Sequence, residues 1–155
     1  MVTTNLFLTD SIIFVKSILV AGITDPISTK RTGDEKFILS SYPSRTAKFP
    51  MITIRHEGPE EIAPSGMRSE LMWLRLPMEI RIWARTEVEK ERLTQQVLNL
   101  LRTSQYDGGN ALSDDEGLHD FKLLSATPVD EPDENGIAGV RSMVLHISFN
   151  FMYGS

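Results

Sequence analysis

Twelve consecutive residues, Leu74-Arg75-Leu76-Pro77-Met78-Glu79-Ile80-Arg81-Ile82-Trp83-Ala84-Arg85, alternate between apolar and polar almost without interruption. Successive side chains of an extended strand point to opposite faces. Leu74, Leu76, Met78, Ile80, Ile82 and Ala84 therefore share one face, and Arg75, Pro77, Glu79, Arg81, Trp83 and Arg85 share the other. The fold must contain a sheet that is greasy on one side and carries charge and a tryptophan on the other. Pro77 lacks a backbone donor, which marks this strand as an edge, a bulge or two shorter strands laid end to end.

A chain of 155 residues is expected to form a single domain, 1–155, large enough to bury a core without metals or disulfides. It has no cysteine, so disulfides, thiolate catalysis and Cys-based zinc sites are excluded. A net charge of −5 argues against a protein that grips duplex phosphates, although it leaves room for a local basic face. Nine of the 21 carboxylates fall within residues 105–120 and 128–139. The apolar run Ile12–Gly22 holds Lys16 in its middle and is too short to span a bilayer, so it reads as a core helix and no membrane is expected.

That first helix is expected from about Ser11 to Ala21, with Thr9 or Asp10 as its cap and Gly22 at its end. It is apolar nearly all round, which predicts burial on more than one side. Exposed loops are expected at about 24–36, 57–70, 105–120 and 128–139. Between them lie short strands at Phe37-Ile38-Leu39 and Met51–His56, the long alternating strand, a strand from Phe121 to about Thr127 and a last one from Val140 to Tyr153. Thr86-Glu87-Val88-Glu89 is a capping box, opening a helix to about Thr103. Val88, Leu93, Val97, Leu100 and Leu101 form its expected buried stripe, and Glu87, Lys90, Glu91 and Gln95 its wet side. Two-faced strands with two helices predict an α+β fold: an antiparallel sheet with both helices on one face.

No catalytic constellation is legible. His56, His119 and His146 lack the spacing that sets two ligands on one metal, and all three read as structural or surface residues. Glu131–Gly136 has a faint likeness to a calcium loop, but Ser142 stands where the bidentate glutamate is required. Gly108-Gly109 is followed by no lysine and cradles no phosphate. Neither a cofactor nor an enzymatic activity is expected.

The polar face of the long strand is the informative surface. Arg75, Glu79, Arg81, Trp83 and Arg85 are candidate subunit-interface residues, since arginine and tryptophan are favoured anchors. A nucleic-acid platform needs more aromatics and less interruption than Glu79 allows. The plain alternative is a solvated face with Arg–Glu cross-strand pairs. A small-ligand-binding module is a more distant alternative.

The order of elements resembles a family. A short N-terminal helix, a Tyr42-Pro43 element and a strand Phe49-Pro50-Met51-Ile52-Thr53-Ile54 precede a two-faced strand that feeds a capped helix, and an antiparallel strand closes the chain. This looks like the tail-terminator and tail-completion proteins of long-tailed bacteriophages and related viruses. The resemblance implies an α+β subunit, assembled in the host cytoplasm, that forms a hexameric ring in the virion neck. Such a ring stops growth of the tail tube, contacts the tail-tube protein and the head-completion or connector protein, and lets DNA pass as cargo.

Overall fold

The alternating segment is the central strand, β4 (Met72–Ala84), of a computed structural model that describes residues 6–32, 35–40, 48–64, 72–106, 117–132 and 138–153. Around it lie α1 (Phe7–Gly22), β1 (Ile38–Leu39), β2 (Met51–His56), β3 (Glu60–Pro64), α2 (Glu87–Tyr106), β5 (Leu118–Pro132) and β6 (Ala138–Tyr153). The strand order is β1-β2-β4-β6-β5, with β3 also paired to β4. β1 runs parallel to β2 and every other pairing is antiparallel. The sheet is open, and the fold is α+β.

Pro77 sits in neither an edge strand nor a break. β4 is continuous and pairs with β6 along its whole length. On its other side β2 covers Met78–Trp83 and β3 covers Met72–Arg75. The Glu57 amide donates to the Pro77 carbonyl at 3.0 Å, so the proline nitrogen faces the same seam between β2 and β3. The missing donor therefore falls where neither strand requires it, which is how a central strand tolerates this residue.

The apolar face is buried as the alternation requires: Leu76, Met78, Ile80, Ile82 and Ala84 have no solvent exposure. They join Ile52 and Ile54 of β2, Leu145, Ile147 and Phe149 of β6, Val15 and Leu19 of α1, and Leu93, Val97 and Leu101 of α2. Each of these side chains larger than alanine contributes about 1.5–3 kcal/mol of transfer free energy. α1 packs over β1 and β2, and α2 over β4, β5 and β6. Gly22 allows the two helices to meet, since a Cβ there would fall 2.4 Å from a Leu100 methyl carbon.

Several boundaries differ from those expected. α1 starts at Phe7, a turn earlier than Ser11, so Thr9 and Asp10 lie inside it and Leu6 occupies the cap without a side-chain bond. Packing explains the extension, because the Phe7 ring stacks on Phe151 at 5.7 Å and meets Tyr153 edge-on. α1 is buried along one stripe, Ser11, Val15 and Leu19, and not on several sides. Residues 57–70 are not all loop, since Glu60–Pro64 pairs with β4 as β3. Of the loops expected at 105–120 and 128–139, the described parts are mostly regular, since α2 runs to Tyr106, β5 spans Leu118–Pro132 and β6 begins at Ala138, while 107–116 and 133–137 lie outside the described residues.

The 24–36 segment carries a short 3-10 turn at Ser28–Lys30 and is pinned by Arg31. That guanidinium pairs with Asp25 at 2.5 Å and donates to the carbonyls of Lys48 and Pro50. Tyr42-Pro43, Gly108-Gly109 and Asp133–Gly136 lie outside the described residues.

Helix α2 keeps its cap but shifts its stripe. The Glu89 amide donates to Thr86 Oγ1 at 3.2 Å, while the Glu89 carboxylate turns to the Arg85 amide at 3.1 Å. The buried positions are Glu89, Lys90, Leu93, Thr94, Val97 and Leu101, and Val88 is 73% exposed. Position 90 lies three and seven residues before Leu93 and Val97, on their side of the helix. Its lysine is tolerated there because the ammonium reaches back to Glu87 at 2.8 Å.

Candidate functional site

The face of the sheet opposite the helices holds all of the expected interface residues except Arg85, which follows the end of β4. Register sets their neighbours. Glu79 lies between Arg55 of β2 and His146 of β6, and Arg75 lies opposite Glu60 of β3. Arg55 donates to Glu79 at 2.9 Å, Arg75 reaches Glu60 at 3.6 Å, and Arg85 pairs with Glu89 at 2.5 Å. Two of these, Arg55–Glu79 and Arg75–Glu60, are the cross-strand Arg–Glu pairs of a solvated face, whereas Arg85–Glu89 is an i,i+4 pair at the start of α2.

Trp83 is only 8% exposed. Its ring stacks against Phe49 at 6.2 Å, its Nε1–H donates to Thr53 Oγ1 at 3.2 Å, and the Arg81 guanidinium lies 4.0 Å from the ring centroid. Arg81 is held in turn by Ser142 Oγ at 3.1 Å, and that hydroxyl donates to the Val129 carbonyl. Met51 and Thr53 of β2 are buried at the same end of the sheet. The tryptophan therefore closes a small second core on the outer face instead of presenting a ring to a partner. Phe49, Thr53 and Ser142 were not singled out by sequence. The signal was available in part, since Met51 and Thr53 alternate with Ile52 and Ile54 and include one large apolar side chain.

The histidines separate into three roles. His56, on the inner face of β2, brings Nε2 to the Leu8 carbonyl and to Ser11 Oγ of α1, tying helix to sheet. His119 is not in a loop but in β5, edge-on to Trp73 at 5.5 Å. Beside it Asp120 adopts φ +52° at a register shift, where the Asn150 amide donates to its carboxylate at 2.9 Å. Asp is among the residues that tolerate this conformation. His146 stands on the outer face, as alternation requires, with Nδ1 2.5 Å from Glu57.

Glu57, Glu79 and His146 bring one ligating atom each to within 4.8 Å of one another. Residues 57 and 146 are far apart in sequence, so only the strand register unites them, and no spacing motif reveals the group.

Two carboxyls at the start of α2 are held ionised by neighbouring cations. Arg85 holds the Glu89 carboxyl below the usual glutamate range, and burial opposes this only in part. Lys90 and Arg141 lower Glu87 in the same way. Carboxylates in a first helical turn are also favoured by the helix dipole.

A cleft of about 540 Å³ opens between the end of α1 and β1, lined by Lys16, Val20, Ile23, Asp25, Lys36 and Phe37. Its lysines and single carboxylate form no nucleophile–base pair. No described helix is long and apolar enough to cross a membrane. No protein-family model matches the chain, and no curated protein matches it either.

Proposed function

We propose that the chain is a structural subunit of a homo-oligomeric ring, of the kind that ends a phage tail tube and joins it to the head. The observation that carries this reading is a pair of different apolar surfaces toward opposite edges of the sheet. On the β1–β2 side, α1 exposes Ile13 and Val20 at 56% and 58%, and Leu6 at its N-cap is 59% exposed. A spacing of seven residues sets the three on one line, opposite buried Val15. On the far side β5 is an edge strand, with Leu123 and Leu124 exposed at 36% and 51%.

A ring is built by heterologous contact, in which one patch meets a different patch on the next copy. A two-fold dimer needs a single self-complementary patch. Two unlike patches on different flanks suit the ring. A long exposed edge strand also invites covering by a neighbour.

The partners follow from the resemblance: copies of this chain, likewise the tail-tube protein and the head-completion or connector protein, with DNA as passing cargo. The location is the virion neck. This role requires neither catalysis nor a cofactor. The nucleic-acid alternative has less to stand on, because Trp83 is buried and Arg55, Arg75 and Arg85 are ion-paired.

Native mass spectra over a concentration series, with negative-stain images, test the proposal. A closed ring, in particular a hexamer, is the expected species. A strict monomer that stays monomeric in the presence of tail tubes would overturn it.

A further inference from the structure

We propose that Glu57, Glu79 and His146 form a mononuclear site for a divalent transition-metal ion of the zinc type. The inference stands on the outer-face geometry alone and is independent of ring formation.

Three elements supply the donors. Glu79 is in β4 and His146 is its direct partner in β6. Glu57 directly follows β2, held where its amide bonds Pro77. The three ligating atoms lie within 4.8 Å of one another. Donors about 2.1 Å from one ion stand roughly 3.4 Å apart in a tetrahedron. To close the set, the Glu57–His146 hydrogen bond, now 2.5 Å, opens by about 1 Å.

Burial and charge add a second line. Glu79 is 7% exposed although it is a carboxylate, and Glu57 brings another carboxylate beside it. Arg55 supplies one positive charge, on Glu79 Oε2. With His146 neutral, two carboxylates face one guanidinium, and a divalent ion offsets the remaining negative charge. With Oε2 bonded to Arg55, Glu79 is left to bind the ion through its other oxygen. The face is open, so water completes the coordination.

The donor set selects the metal. Imidazole with carboxylates suits zinc, cobalt or manganese, whereas calcium and magnesium take oxygen ligands. In that hydrogen bond the His146 Nδ1–H donates to Glu57, so ligation through Nδ1 needs a neutral ring with its proton on Nε2. Protons compete with a metal for imidazole and carboxylate donors, and binding weakens as pH falls.

The test uses the full chain, treated with chelator and titrated with Zn²⁺ and Co²⁺ by calorimetry and by the visible bands of bound Co²⁺. One equivalent should bind saturably, with Mg²⁺ and Ca²⁺ failing to compete. His146→Ala and Glu57→Gln, both at partly exposed positions, should each weaken binding more than about tenfold with unchanged thermal melts. His119→Ala, elsewhere on the face, should bind as the parent does. Absence of saturable binding up to millimolar ion overturns the proposal, as does binding that survives His146→Ala or is lost with His119→Ala.

Discussion

The guanidinium of Arg81 lies over the indole of Trp83, 4.0 Å from the ring centroid, although the two residues are successive outward positions on the same strand. Ser142 of β6 fixes the cation and Thr53 of β2 fixes the indole nitrogen. One arginine–tryptophan stack thus links three strands on the face opposite α1 and α2. A double change of Arg81→Glu with Trp83→Ala, which the alternation alone recommends as a pure interface test, would instead perturb the subunit itself.

Trp83→Ala should destabilise the monomer by about 3 kcal/mol, through lost apolar burial and the unpaired Thr53 hydroxyl. Arg81→Ala should cost about 1 kcal/mol, the scale of a partly exposed cation–π contact. Urea unfolding followed by far-ultraviolet dichroism measures both. A Trp83→Ala loss below about 0.5 kcal/mol would mean that the ring is not part of a core.

Arg31 is the second internal cation that matters. Its side chain is 6% exposed, it pairs with Asp25, and it satisfies two carbonyls of the 48–50 segment. Removing one partner of a buried pair strands the other charge, so Arg31→Met should cost about 3–5 kcal/mol. The double variant Arg31→Met with Asp25→Asn should recover part of that loss. Equal melting of the single variant and the parent would show that the 24–36 segment is held some other way.

Glu89 gives the chain an acid-sensitive helix start. Its carboxyl titrates lower in the folded state because Arg85 donates to it. A depressed folded value contributes stability above the ordinary glutamate range and loses it as pH falls through the folded value. Stability should therefore decline below about pH 4.3, with Glu87 adding to the same slope. Glu89→Gln should flatten the decline while lowering stability at pH 7. An unchanged slope in that variant would assign the acid sensitivity elsewhere.

How much of this was legible depended on whether a residue's role is set by its own strand or by its neighbours. Ile80 and Ile82 announce a buried face through alternation, and Thr86 and Glu89 announce a cap through spacing, because those are local properties. Lys90 and Val88 exchange their expected places because Leu93, Val97 and Leu101, and not the apolarity of position 88, set the phase of α2. The tolerance of Pro77 in a central strand depends on the seam between β2 and β3, which no single strand displays. Trp83 lost its partner-facing role to Phe49 and Thr53, and the Glu57–Glu79–His146 group exists only through register. β3 was missed because its paired residues Glu60-Glu61 and Ala63-Pro64 include a bulge and a proline, which blur any period.

The ring has a signature that a two-fold dimer lacks. Ile13→Glu should disable the α1 patch and Leu124→Glu the β5 edge, each leaving the other surface intact, and each variant alone should run as a monomer. Both sites are more than half exposed, so the melts should stay within about 0.5 kcal/mol of the parent. Mixed together, the two variants still offer one intact α1 patch and one intact β5 edge. A head-to-tail contact then joins one copy of each and stops there, because no further good pair remains. Native mass spectrometry should therefore find a one-to-one heterodimer in the mixture and no ring. If the α1 patch instead contacts its own copy, the Leu124→Glu variant will dimerise alone and the mixture will add nothing. That result would replace the ring with an isologous dimer.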